Sequence, residues 1–439
     1  MSTPTTGSST EASPTPPSED RPEEQTEHGP SGQAALLRQV ASSPAVVGLL
    51  AVLTALILSS ILILAADSEV RYTATYLLNR PGDFLHATAS TLSEAYSSLL
   101  RGAVFDWRAT TGVRMIRPIT DTLTNATPLI IAGLGMAVAF RAGLFNIGGQ
   151  GQMILGAITA CYVGIAWNLP PVAHLLLAVV GAALGGLVWG GIAGVLKART
   201  GANEVIVTIM LNSIAAHLLS QVLSLKAFNG EGETGNRKSL TVADAAQYPS
   251  LAGDSFRLHA GFLLALLVAV AVWWLMERSR LGFQLRATGL NADAARTAGM
   301  SVPWVTSLVM MISGALCGLA ATAPVLGTQK GMDESVVGTI GFDAITVALL
   351  GRSRPVGTVL AGLLFGALRA GGTAMQAAPG THIKIVLVLQ STIVLFIAAP
   401  PLIRAIFRLP ERRDTLGGTA PSPASAPAAA PAAPAAKEA

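Results

Sequence analysis

A chain of 439 residues that is 51% hydrophobic and 12% charged, with a mean hydropathy of +0.54, carries too little charge to cover a water-facing surface; soluble domains hold roughly 25% charged residues. The formal net charge of +4 comes without a dense Lys/Arg patch interleaved with aromatics, which argues against nucleic acid as a partner. Lipid is therefore the expected solvent for most of the chain.

In chain order, residues 1–33 are rich in Ser, Thr, Pro and Glu and read as a disordered tail, because such a segment buries too little apolar surface to offset the entropy of ordering. A transmembrane domain is expected over 34–410, followed by a Pro/Ala-rich disordered tail over 411–439. A helix needs about 20 apolar residues to cross the hydrocarbon core. The predicted spans are 45–66, 118–140, 144–166, 172–196, 204–225, 260–276, 304–326, 336–351, 355–375 and 383–403. The fold class is thus all-α: a polytopic bundle of about ten transmembrane helices, some broken or half-length. The first apolar run is too long for a cleavable signal core and reads as a retained anchor.

Between the first two spans, 83–105 has apolar residues at helical spacing, including Phe84, Leu85, Leu92, Tyr96, Leu99 and Leu100. It predicts either a helix flat at the outer interface or a helix capping the bundle. The stretch GLFNIGGQGQMILG at 143–156 holds five glycines and three amides at membrane depth. It is either a broken helix beside a transport path or a short turn between helices. Span 172–196 carries Gly181, Gly185, Gly186, Gly190 and Gly194, a small-residue face for close helix packing. Cys161 and Cys317 lie in apolar stretches and read as packing residues, not a disulfide pair.

Basic residues such as Arg141, Lys197, Arg199, Arg278, Arg280, Arg352 and Arg354 collect in one set of short loops. The positive-inside rule then puts both termini in the cytoplasm of a multi-pass plasma-membrane protein. The longest loop on that side is 277–303. There Asn291 is placed to cap a short helix that Gly299 ends. Such a knob either docks into a cytosolic motor or is an ordinary surface loop.

The polar residues within spans are Asn125, Asn146, Gln150, Gln152, Asn212, His217, Gln376 and Gln390. Each is either a helix–helix hydrogen bond or a wall of a wet path. Asn146, Gln150, Gln152 and Asn212 are taken as path candidates, together with Arg369, a charge inside an apolar span that needs Asp343, Glu204 or water as its partner. Few carboxylates lie near spans, mainly Asp343, Asp121 and Glu204, so an ion-driven secondary transporter is the weaker class. No His/Cys metal motif and no nucleophile–base set is present, so no metal and no catalysis are expected.

The run GFQLRATGLNADAARTAG at 282–299 resembles the cytoplasmic coupling segment of ABC-importer permeases of the branched-chain amino acid, sugar and nucleoside group. FRAGLFNIGGQGQMILGA at 140–157, GANEVIVTIMLNSIA at 201–215 and GFDAITVALLGRSRPVGTVLAGLLFGALRAGG at 341–372 agree with it. Together they resemble most closely the nucleoside permeases that work with a BMP-family lipoprotein, over about 45–405. The resemblance implies a permease that is not itself an enzyme. Its implied partners are an ABC ATPase subunit, a second homologous permease and an extracellular substrate-binding lipoprotein, in a lipid bilayer. ATP and magnesium belong to the ATPase, since this chain has no G-x-x-x-x-G-K-[ST] loop and binds no cofactor of its own. It implies coupling through Arg286, Ala287, Gly289, Asn291, Ala294, Ala295 and Gly299. Aspartates at both 294 and 295 are expected to block docking.

Overall fold

A computed structural model describes residues 44–229, 237–377, 391–392, 395–396 and 400–408, and all regular structure among them is helical apart from two isolated β-bridges. The tails at 1–33 and 411–439 lie outside these residues. The helices used below are α1 Pro44–Ala66, α2 Ser68–Ala74, α3 Pro81–Ala103, α4 Gly112–Arg141, α5 Gly149–Ala166, α6 Pro171–Thr200, α7 Glu204–Leu223, α8 Gly261–Arg278, α9 Arg280–Leu290, α10 Ala292–Thr297, α11 Val302–Ala320, α12 Ile340–Leu350 and α13 Pro355–Ala377.

Six described helices are long and apolar enough to cross a membrane: α4, α6, α7, α8, α11 with its continuation to Thr328, and α13 up to Gln376. A seventh crossing arises if Leu53–Ala66 and α2, which meet at 78°, count as one bent span. The described residues are in keeping with a polytopic bundle of about ten helices in which some are broken or half-length. Span 144–166 becomes helical only at Gly149, because Ala142–Gly148 is held in a non-helical path by side-chain amides. Span 336–351 yields an 11-residue helix. Span 383–403 falls mostly outside the described residues.

Helix α4 is the axis of the bundle: Ala126 through Ala139 are all buried, and Pro118 and Pro128 sit inside it. Neighbouring helices satisfy the backbone groups that prolines free in membrane helices. The tightest packing is between α6 and α11. A Cβ at Gly186 would collide with the Gly314 carbonyl, and one at Gly190 with the Met310 carbonyl. Gly185 instead faces Thr159 on α5, while Gly181 has room for a methyl. In lipid no hydrophobic force pulls helices together, so backbone approach over small residues supplies the contact. The outward faces of α6, α7 and α8 carry exposed Leu176, Leu184, Val188, Ile206 and Leu267, as a lipid-facing surface does.

Helix α3 packs along α13 through small residues. Ala87, Ala95, Ser98, Leu99 and Ala103 are buried, while Leu85 and Leu100 point outward. A Cβ at Gly102 would overlap Ala374, and one at Gly371 would meet the Leu99 carbonyl. The helix is therefore a packed part of the bundle. Of the large apolar residues that carried the periodic signal, Leu92, Tyr96 and Leu99 lie on the packed face, while Leu85 and Leu100 do not.

Candidate functional site

The bundle has two ends of different chemistry. One carries the knob of residues 277–303; the other carries the loops 104–111, 167–170, 237–260 and 329–339.

At the knob end, Ser279 accepts a hydrogen bond from the Gly282 N–H at 2.9 Å and caps α9. Asn291, in extended backbone, accepts from the N–H groups of Asp293 and Ala294 at 3.0 Å each and caps α10. Gly299, at φ +81°, ends it. A helix N-cap of this kind satisfies donors that have no partner within the helix. Gly289 lies so close to the Arg141–Ala142 backbone that a Cβ there would collide. The Ala287 carbonyl accepts from the Asn291 N–H at 3.1 Å. Arg286 is half-buried, with its Nη1 hydrogen-bonded to nothing among the described residues. Ala294 is exposed, but Ala295 is only 3% exposed. The paired-aspartate expectation needs one correction: a charge at 294 would stand on the knob's exposed face, whereas one at 295 would enter the knob's own interior. Arg141 fastens this end by pairing with Glu277 at 3.0 Å and donating to the Ser353 carbonyl at 3.1 Å.

The amides of the broken segment form one buried network. Asn146, 0% exposed, donates to Gln152 Oε1 at 3.0 Å and to Ser313 Oγ at 2.8 Å, and accepts from the Gly148 N–H. Asn212 accepts from the Gly151 N–H at 2.8 Å and donates to the Ile147 carbonyl at 2.9 Å. Backbone left unpaired by a helix break inside a bundle must find such partners. The segment is thus a connection between α4 and α5 at the knob end, where Gly143 lies against Gly289, with its amides turned into the bundle. Gln150 spans to the next broken element, donating to the Gly338 carbonyl at 2.7 Å and accepting from the Gly341 N–H at 3.2 Å. The first turns of α5 and α12 therefore meet inside the bundle.

A cavity of about 280 Å³ opens above that meeting point, toward the loop end. One wall is a single face of α4: Asp121, Thr124, Asn125 and Pro128, spaced as helix neighbours are. The opposite wall is a π-helix, Ala323–Thr328, followed by Gln329. Single π-turns recur at functional sites because they re-aim side chains. Gly338 and Ile340 from the start of α12 and Arg369 from α13 also line it, and Arg257 reaches in from the loop. Asn146, Gln152 and Asn212 do not line this cavity; Gln150 acts from behind Gly338. His217 is exposed on α7, and Gln390 lies outside the described residues.

Arg369 sits about 20 Å along α13 from Pro355 at 1.5 Å rise per residue. Its partner is Asp343 of α12, with Nη2 donating to Oδ2 at 2.5 Å and to Thr339 Oγ1 at 2.8 Å. Glu204 instead pairs with Lys197 at 2.6 Å. The Arg369–Asp343 pair therefore fixes the half-length α12 against α13 beside the cavity. A second hollow of about 750 Å³ between α3, α4 and α13 is lined by Arg101, Arg108, Arg114 and Arg117, and Asp121 borders both spaces.

The loop end is closed by 237–260. Ser239 and Met332 exchange hydrogen bonds, and the Tyr248 hydroxyl meets Thr322 at 2.8 Å. Burial pushes the Tyr248 phenol up to about 12. His259 stacks on Tyr248 with ring centres 5.3 Å apart. Its Nδ1 accepts from the Gly261 N–H at 3.2 Å, so Nε2 carries the proton, buried against Gly327 of the π-helix. Burial holds this imidazole down at about 4 because desolvation penalises the charged form.

Of the residues that line the cavity, Asn125 and Arg369 stand out in the sequence as polar groups in apolar spans, and Asp121 as a carboxylate near a span end. Arg257 and Gln329 carry no such signal, since they come from a loop and from the end of a π-turn.

The model of a branched-chain amino acid transport system permease component matches residues 119–398. The guanosine ABC transporter permease protein NupP of Bacillus subtilis is 40% identical over 289 residues, 66% of this chain and 83% of the relative. The glucose ABC transporter permease protein TsgB13 of Haloferax volcanii is 37% identical over 317 residues, 70% of this chain and 82% of the relative. The nucleoside ABC transporter permease protein NupB of Lactococcus lactis subsp. cremoris is 34% identical over 290 residues, 64% of this chain and 79% of the relative.

Proposed function

The chain belongs to the family of branched-chain amino acid transport system permease components, and from that premise we propose that it is the membrane-spanning subunit of an ATP-driven importer whose cargo is a nucleoside. The observation that carries the cargo is its likeness to guanosine and nucleoside permeases at 34–40% identity. The cavity supports it: Asn125, Gln329, Thr124 and Thr328 offer amides and hydroxyls, which suit a neutral polar solute. The likeness to a glucose permease at 37% identity favours a sugar as the second reading.

In this proposal the loop end faces outside and receives cargo from a substrate-binding lipoprotein. The knob end faces the cytoplasm and rests on an ABC ATPase subunit, beside a second permease. Exposed Ala294, Asp293 and Arg296 form the part of the knob that a motor can touch. Asn291 and Gly299 shape it from within, and Gly289 seats it on the α4–α5 turn. Arg369 and Asp343 hold α12 in the state open to the outside. The amides of Asn146, Gln150, Gln152 and Asn212 keep the two broken helices registered while the path alternates.

The test is uptake of labelled nucleosides in cells with and without the gene, with glucose and branched-chain amino acids beside them. Loss of nucleoside uptake alone is expected. Unchanged nucleoside uptake with loss of glucose uptake would replace the cargo with a sugar.

A further inference from the structure

We infer that the cavity reads the sugar ring of its cargo and leaves the base unread, with Asp121 and Gln329 as the residues that set this preference; the inference rests on the nucleoside reading above. Three observations carry it. First, no aromatic ring is among the described lining residues, although stacking on such rings is the usual way a protein holds a base. The guanidinium of Arg369 is committed to Thr339 and Asp343, and that of Arg257 is exposed at the mouth, where any base meets the same flat cation.

Second, Asp121 has an unfilled acceptor. Its Oδ1 is buried and has no hydrogen-bond partner among the described residues, and its Oδ2 stands 3.7 Å from Arg117, beyond hydrogen-bond reach. Oδ1 is shut off from water while the side chain as a whole is 29% exposed, which leaves Oδ2 as the carboxylate oxygen that a donor in the cavity can reach. An ionised carboxylate only accepts, and a vicinal diol presents two O–H donors to it. One turn along, Asn125 gives its N–H to the Asp121 carbonyl at 2.9 Å, and its amide oxygen is left to accept. Third, Gln329 faces this wall from the end of the π-turn, and its backbone is fixed by a 2.8 Å bond to the Pro324 carbonyl. Its side-chain amide supplies a donor for the ring oxygen or a hydroxyl.

The cavity thus matches the polyhydroxyl ring common to ribonucleosides, and discriminates against cargo whose 2′ and 3′ hydroxyls are missing. Purine and pyrimidine ribonucleosides pass alike at this step. The receptor upstream has its own preference, so the test compares variants of this chain in the same assembled transporter with the same receptor. Uptake of labelled adenosine, uridine and 2′,3′-dideoxyadenosine is measured for the parent, Asp121→Asn and Gln329→Ala.

The preference for adenosine over its dideoxy analogue is expected to fall by about tenfold in Asp121→Asn, the worth of one hydrogen bond to a charged group. It should fall by a smaller factor in Gln329→Ala, and the adenosine-to-uridine ratio should stay constant in both. A merely structural role for Asp121 would slow all three cargoes in parallel. Parallel slowing in both variants, or a shifted adenosine-to-uridine ratio, overturns the inference. Should Asp121→Asn fail to reach the membrane, the Gln329→Ala ratios decide alone. Absence of any nucleoside uptake by the parent would instead overturn the nucleoside reading.

Discussion

Arg369 and Asp343 are each about a quarter exposed, in a span that should otherwise suit lipid. Removing one partner leaves the other charge half-desolvated, which costs more than removing both. Arg369→Gln should therefore lower uptake and stability by about 1–2 kcal/mol, at the low end for a buried pair because water reaches this one. The double variant Arg369→Gln/Asp343→Asn should recover part of the stability, as read by thermal unfolding of the solubilised protein. Equal loss in the single and double variants would mean that the pair contributes nothing. That Arg369 is anomalous was legible in the sequence. Its partner was not, because Asp343 lies on another helix and Glu204 was an equal alternative. His259 gives a second prediction at this scale. Its folded-state value of about 4 lies below the ordinary 6.5, so the unfolded chain binds the extra proton between those values. The stability it contributes is complete above pH 6.5 and is lost as pH falls toward 4, by at most about 3 kcal/mol. A plot of melting temperature against pH should flatten over that window in His259→Asn, which keeps an acceptor for the Gly261 N–H. An unchanged slope would remove His259 as the cause.

At the scale of elements, local signals were read correctly where the cause is local. Asn291 as cap and Gly299 as stop follow from a few neighbouring residues, and both hold. Helix α9 was missed, since its eleven residues carry no apolar periodicity strong enough to announce them. Which alanine of the knob faces out was also hidden, because the burial of Ala295 depends on contacts made after folding. Ala294→Asp should abolish ATP-dependent uptake while leaving expression and membrane insertion intact. Ala295→Asp should lower the folded yield as well. Normal uptake by Ala294→Asp would show that the knob is not where the motor docks. The α6–α11 contact yields a graded prediction. Gly186→Ala and Gly318→Ala each drive a methyl into the facing backbone and should cost about 1–3 kcal/mol, whereas Gly181→Ala, with 3.4 Å to its nearest neighbour, should be tolerated. Melting temperatures of the three purified variants check the order. The glycine pattern revealed that a close helix contact exists, but the partner helix lies more than a hundred residues away and leaves no trace in spacing.

At the scale of the molecule, the all-α membrane class follows from composition and from the length of apolar runs, and the family match covers the bundle from 119 to 398. The lengths of the apolar runs also announced that some helices of the bundle are broken or half-length, as α12 is. The run at 336–351 is the half-length one, and the first turns of α12 and of the 18-residue α5 meet at Gln150 beside the cavity. The lining of the cavity was harder to read. Hydrogen-bonding amides in a span announce an interior, yet Asn146, Gln152 and Asn212 spend their groups on the helix break, while Asp121, Arg257 and Gln329 line the cavity. The central claim is that this chain forms a path for nucleosides driven by ATP hydrolysed on another subunit. Its most direct test is nucleoside accumulation in proteoliposomes that hold this chain with its ATPase, second permease and receptor. The account predicts accumulation that needs ATP and that stops when Ala294→Asp replaces the native chain. ATP-independent accumulation, or accumulation of glucose but no nucleoside, would contradict it.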